Sequence, residues 1–174
     1  MEASTVVQFW ESARVSGLNI CIDGGWAVDA VLGVQTRPHR DLDIALPASE
    51  VMALRALLEQ GGFSEVSRPD SWEHNFVLES VIGDIIDVHS YELNADGSNK
   101  YGVSYIADHL SGEGIILGCR VRCVPPRWLV PFHTGYEIDE TDWHDVRLLC
   151  KKYKIPIPDI YKRFAESDSN NRGG

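Results

Sequence analysis

Apolar residues Val6, Val7, Phe9, Trp10 and Val15 recur among polar ones at roughly helical spacing over residues 4 to 16, and Gly17 follows as a stop. The run "LNICI" changes the period to that of a short strand and ends at "DGG". "WAVDAVLG" then offers good helix formers closed by Gly33, so strand, glycine turn and helix follow one another directly. "DLDIAL" reads as a second strand, and "ASEVMALRALLEQGG" as a helix with Ser49 as its cap and Gly61 and Gly62 as terminators. Three β-type runs come next, "FSEVSR", "HNFVLES" and "DIIDVHSY", separated by "PDSW" and "VIGD", which predicts an antiparallel meander. "NADGSNKYG" carries loop chemistry throughout, and "GIILGCRVRCV" predicts a hairpin around Gly118. Pro125 and Pro126 end the strands, and the remainder is mainly helical, with "ETDWHDVRLLCKKY" the clearest amphipathic segment. The tail "SDSNNRGG" is polar and reads as disordered.

Composition narrows the class of protein. A chain of 174 residues suits one domain, or one domain with a helical appendage. Its 16 basic against 26 acidic residues give a net charge of -10, which lacks the field that gathers nucleic acid and would draw in a cationic small molecule. No apolar run approaches the roughly 20 residues that span a bilayer, and "MEASTVVQFWESARV" has neither the basic start nor the apolar stretch of a signal peptide, so a cytoplasmic location with no membrane partner is expected. The cysteines Cys21, Cys119, Cys123 and Cys150 are too scattered for a disulfide framework or paired zinc knuckles.

The chemistry concentrates in "TRPHRDLDIAL". Alternate residues of a strand share a face, so Asp41 and Asp43 project together while Leu42 and Ile44 turn to the core. Two unit charges about 4 Å apart repel by about 1 kcal/mol in water and by about 4 kcal/mol at an effective dielectric near 20. Solvent, Arg37 and Arg40 can offset that cost, and so can a divalent cation, for which a rigid all-oxygen pair suits Mg2+ or Mn2+. Asp87 in "DIIDVHSY" favours the cation, because an acid on the same sheet face would complete a three-carboxylate site able to hold metal or serve as a general base. Asp84 competes, but beside Gly83 it reads as a turn residue.

Upstream, "IDGGWAVDA" sets Gly24 and Gly25 at a helix start, where a backbone without Cβ atoms can approach an anion and free N–H groups point at it. Any sharp strand-to-helix turn uses the same residues. The order is more informative: a glycine pair, then a basic stretch, then the two aspartates, then a lone Asp supply the needs of phosphoryl or nucleotidyl transfer. No GxxxxGK[ST] or kinase catalytic-loop pattern is present, which favours nucleotidyl transfer.

With these residues in view, the chain resembles the polymerase-β-like nucleotidyltransferase superfamily, and "GGWAVDAVLGVQTRPHRDLDIAL", "IIDVH" and "HTGYEIDETDWHDVRLLCKKY" resemble its small antibiotic members, the lincosamide nucleotidyltransferases above all and the aminoglycoside 2″-nucleotidyltransferases next. The resemblance spans roughly residues 22 to 154. It implies an α+β nucleotidyltransferase fold, a mixed and mostly antiparallel sheet packed with helices, with a catalytic core over 1–124, a helical segment over 125–166 and a disordered tail over 167–174. It further implies ATP seated over Gly24 and Gly25, Arg37, His39 and Arg40 on the triphosphate, Asp41 and Asp43 on Mg2+, and Asp87 as metal ligand or base. A salt bridge from Arg37 to Asp29 stands beside the triphosphate role, and His89 either orients the base or sits at the pocket rim. His133, Tyr136 and Glu137, with Asp142, His144 and Asp145, can line an acceptor pocket or act as helix caps and surface polar groups. The reaction implied moves AMP from ATP to a hydroxyl of a lincosamide with release of pyrophosphate. Alternatives are an aminoglycoside acceptor and an antitoxin-like module that binds nucleotide without turnover; a homodimer is compatible with either.

Overall fold

β-branched and aromatic runs that alternate with short helices build one eight-stranded sheet, seen in a computed structural model that describes residues 1–165. The chain falls into two compact units, Met1–Pro125 and Pro126–Gly174. The expected disorder of 167–174 lies outside the described residues.

In the first unit, α1 (Ala3–Val15) precedes β1 (Cys21–Ile22), α2 (Gly24–Leu32), β2 (Asp41–Pro47), α3 (Val51–Gln60), β3 (Phe63–Val66), β4 (Asn75–Ser80), β5 (Ile85–Leu93), β6 (Asn99–Gly102), β7 (Gly112–Ile116) and β8 (Cys119–Cys123). The sheet order is β3-β4-β5-β2-β1-β8-β7, with β6 beside β5. Only β2·β5 and β1·β8 run parallel, so the sheet is mixed and mostly antiparallel. The meander β3-β4-β5 and the β7–β8 hairpin form as the pattern predicts, the latter turning through Leu117 and Gly118, both at positive φ.

One sheet face makes a core. Leu42, Ile44 and Leu46 of β2 are buried with Ile86 and Val88 of β5 and with Phe76 and Leu78 of β4. Each such side chain contributes about 1.5–3 kcal/mol on burial. Leu54 and Leu58 of α3 are also buried, and the Arg55 guanidinium lies 4.0 Å over the Phe76 ring. The opposite face, at alternate positions, carries Asp41, Asp43, Asp87 and His89.

Two expectations are corrected. Ser49 does not cap α3: a 3-10 turn, Ala48–Glu50, precedes the helix and no side chain caps either start. "NADGSNKYG" is not loop throughout, because β5 outruns β4 and leaves Tyr91 to Leu93 without a partner on that edge. β6 supplies the partner, Tyr91 opposite Gly102 and Glu92 opposite Tyr101.

In the second unit, α4 (Pro126–Phe132) and α5 (Glu140–Tyr153) are joined by a loop. Asp139 caps α5 by accepting from the Thr141 and Asp142 N–H groups, while the Asp142 carboxylate accepts from the Asp139 N–H. Trp143 stacks on Tyr161 at 5.9 Å and on Phe164 at 6.3 Å. No helix among the described residues is long and apolar enough to cross a membrane.

Candidate active site

Asp23 follows β1 in extended conformation and caps α2, its Oδ1 accepting the Gly24 N–H at 2.8 Å. The backbone crowds the rest of the site here. Gly24 has φ +57°, and a Cβ on it would stand 2.0 Å from Asp43 Oδ2; a Cβ on Gly25 would stand 2.4 Å from Arg37 Nη2 and 2.6 Å from His39 Nδ1. The glycine pair therefore lets a helix start lie directly against one acid and two basic side chains.

Parallel pairing of β2 and β5 sets Asp43 opposite Asp87, with Asp41 two residues back on the same face. Asp84 stays in the turn before β5, its N–H donating to Ser80 Oγ at 3.0 Å. Burial and the neighbouring charges of Asp41, Asp23 and Asp87 hold the Asp43 carboxyl well above the usual carboxylate range. Burial likewise raises Asp87; His89 and Arg68 lower it, while Asp41 and Asp70 raise it.

The basic stretch divides. His39 is buried, with Nε2 2.5 Å from Asp29 Oδ2 and its ring 4.4 Å from that of Trp26, while Asp29 Oδ1 accepts from Thr36 N–H at 3.0 Å and Thr36 Oγ1–H at 2.7 Å. Arg37 is half-exposed beside Gly25, with Nη1 donating to the Pro38 carbonyl at 3.3 Å. Arg40 is exposed to solvent.

On β5, His89 Nε2 lies 3.5 Å from Asp87 Oδ1, and its Nδ1 lies 3.3 Å from the hydroxyl of Tyr105, which donates to Asp23 Oδ2 at 2.6 Å. Sequence reasoning missed Asp23 and Tyr105. Asp23 had a usable signal, an Asp directly before a helix start. Tyr105 had none, since it reaches the site from a segment 82 residues after Asp23.

Gly24, Gly25, Arg37, His39, Asp41, Asp43, Asp87 and His89 are all gathered in the first unit. His133, Tyr136 and Glu137 belong to the second. There His133 is interior, its Nδ1–H donating to the Leu129 carbonyl at 2.7 Å and its Nε2 3.9 Å from the buried Asp145. Tyr136 is exposed and donates to Asp142 Oδ1 at 2.6 Å, and Glu137 is exposed.

Asp41, Asp43 and Asp87 could hold a hard cation. Among the described residues no group of three or more His, Cys, Asp or Glu side chains forms a ready metal cage. Mg2+ is usually bound by one or two carboxylates together with substrate phosphates and water. The buried Asp87 Oδ1 has no hydrogen-bond partner, an atom left with capacity for a ligand.

A mixed sheet that carries a glycine turn at a helix start against an Asp-x-Asp strand, with a third Asp on the adjoining strand, is a nucleotidyltransferase fold. The chain belongs to the aminoglycoside-2″-adenylyltransferase family, whose model matches residues 5–149. It is 33% identical over 135 residues to a lincosamide resistance protein of Staphylococcus haemolyticus, covering 74% of this chain and 81% of that one. It is 29% identical over 163 residues to a 2″-aminoglycoside nucleotidyltransferase of Klebsiella pneumoniae, covering 86% of each chain. Among solved structures it resembles the lincomycin-bound lincosamide antibiotic adenylyltransferase LnuA, at 26% identity and a TM-score of 0.71, covering 83% of this chain and 93% of that chain.

Proposed function

We propose that this protein is a Mg2+-dependent O-nucleotidyltransferase that moves AMP from ATP to a hydroxyl of a lincosamide. The observation that carries the reading is the register of β2 on β5, which puts Asp41, Asp43 and Asp87 on one sheet face, with Gly24 packed against Asp43. The N–H groups at the start of α2, with Arg37 and His39 beside Gly25, receive the triphosphate. Arg40, also assigned to the triphosphate from the sequence, is exposed and contributes at most from the rim. Mg2+ or Mn2+ on Asp41, Asp43 and Asp87 would supply positive charge to the phosphates and the leaving group. Asp87, raised by burial, takes the proton of the acceptor hydroxyl. The hydroxyl oxygen bonds to the α-phosphorus, the bond from that phosphorus to the bridging oxygen breaks, and pyrophosphate leaves with the electron pair.

The lincosamide is favoured by the 33% identity to a lincosamide resistance protein and by the likeness to a lincomycin-bound enzyme. An aminoglycoside is the second reading, favoured by the family match and by the net charge of -10, which suits a polycation. His89 is assigned to the acceptor side of the site. Pyrophosphate release with ATP and Mg2+ across both antibiotic classes tests the reading. Turnover with lincomycin or clindamycin supports it, turnover with aminoglycosides alone transfers it to the second, and none with either class rejects it.

A further inference from the structure

We propose that Asp29 is a positioning residue that holds the segment 34–40 against α2, so that Arg37 and His39 stand over Gly25 as a seat for a triphosphate, which rests on the reading above in that these two side chains receive that group. Gly25 and Asp29 are four residues apart and so share one face of α2, with a helical turn of about 5.4 Å between them. Side chains on a helix lean towards its N-terminus, which carries the Asp29 carboxylate in the direction of Gly25. The chain leaves α2 at Gly33, in left-handed conformation, and returns along that face. Asp29 takes the returning segment at two points. Its Oδ1 accepts the Thr36 N–H at 3.0 Å and the Thr36 hydroxyl at 2.7 Å, and its Oδ2 lies 2.5 Å from His39 Nε2. Arg37 is thereby bracketed by two residues fixed to one carboxylate. The His39 ring spans the turn, with Nε2 at Asp29 and Nδ1 over Gly25, in space that a side chain on Gly25 would fill. Asp29 is 2% and His39 6% exposed, and the Trp26 ring lies 4.4 Å from that of His39, so the imidazole is held in one place. A segment fixed before the ligand arrives loses less conformational entropy on binding. Asp29 acts through the residues it holds, since it lies a turn away from the glycine pair.

Equilibrium binding of inorganic tripolyphosphate with Mg2+ to the whole chain tests the role without an antibiotic and without turnover. Asp29→Asn keeps an acceptor for Thr36 but sets an amide N–H against His39, with almost no change of shape. It should raise the Kd about 10- to 100-fold, the range that loss of a charged hydrogen-bond partner gives. Thr36→Val removes the hydroxyl alone and should raise the Kd by a smaller factor in the same direction. Urea unfolding of each variant shows that the binding is read on folded protein. In an Arg37→Ala/His39→Ala background the N–H groups of α2 remain, and there Asp29→Asn should raise the Kd by no more than about twofold. A purely structural Asp29 would disturb the helix start in that background too and repeat its full loss. Native affinity in Asp29→Asn, a full further loss in the triple variant, or a native chain that binds no tripolyphosphate overturns the proposal. Pyrophosphate release decides the transfer reading separately. Tripolyphosphate binding that falls in Asp29→Asn, with no turnover of any antibiotic by the native chain, supports the role of Asp29 and rejects that reading; turnover with binding unchanged in Asp29→Asn does the reverse.

Discussion

At the residue scale the site is a balance of like charges. Asp43 is raised by burial and by Asp41, Asp23 and Asp87, so its ionised form costs the folded state free energy. The sign follows from linkage: that cost is absent below the ordinary carboxylate range, near pH 3.9, and grows as pH rises through the raised pKa. Asp43→Asn should therefore stabilise the metal-free protein at neutral pH. Removing one of the repelling charges is worth on the order of 1 kcal/mol, or ~2–4 °C in Tm for a chain of this size. The same substitution should lower transfer at least about 100-fold. A scan at pH 7 with chelator, set beside an activity assay, checks both halves. Gly24→Ala is the converse case. At φ +57° a side chain costs about 1–2 kcal/mol, and its Cβ would collide with the Asp43 carboxylate, so both Tm and nucleotide binding should fall.

At the scale of elements, α2 packs in close approach to β7. A Cβ on Gly114 would stand 2.5 Å from the backbone carbon of Ala30 and 2.6 Å from its oxygen. Gly114→Ala should destabilise by about 1–3 kcal/mol, measured by urea unfolding, while the KM for ATP stays within about twofold because the glycine turn is untouched. The helices α1, α2, α3 and α5 and most strands were legible in the sequence, because periodicity and terminators agreed: "WAVDAVLG" closes at Gly33, in left-handed conformation. β6 was not legible. Asn99–Gly102 has the composition of a loop and becomes a strand only because the far end of β5 has an edge to fill. Ser49 failed for the related reason that a cap is decided by how the chain arrives, here through a 3-10 turn.

For the whole molecule, the site is assembled from β1, α2, β2, β5 and the segment around Tyr105, so the sequence revealed its parts unequally. Asp41, Asp43 and Asp87 were legible from period two and from a shared face. The Asp29–His39 pair and the Tyr105–Asp23 contact were not, since nothing local marks a partner that only the fold brings near. Mg2+·ATP should stabilise the folded chain by mass action, by about 2.7 kcal/mol at 100 times Kd, and Asp41→Asn should remove most of that thermal shift. The central claim is nucleotidyl rather than phosphoryl transfer, and isotope position decides it. With Mg2+ and lincomycin, ATP labelled at the α-phosphorus should pass its label to the antibiotic, and ATP labelled at the γ-phosphorus should leave its label in pyrophosphate. Label from the γ-position on the antibiotic, or α-label transfer that survives Asp87→Asn undiminished, would contradict the account.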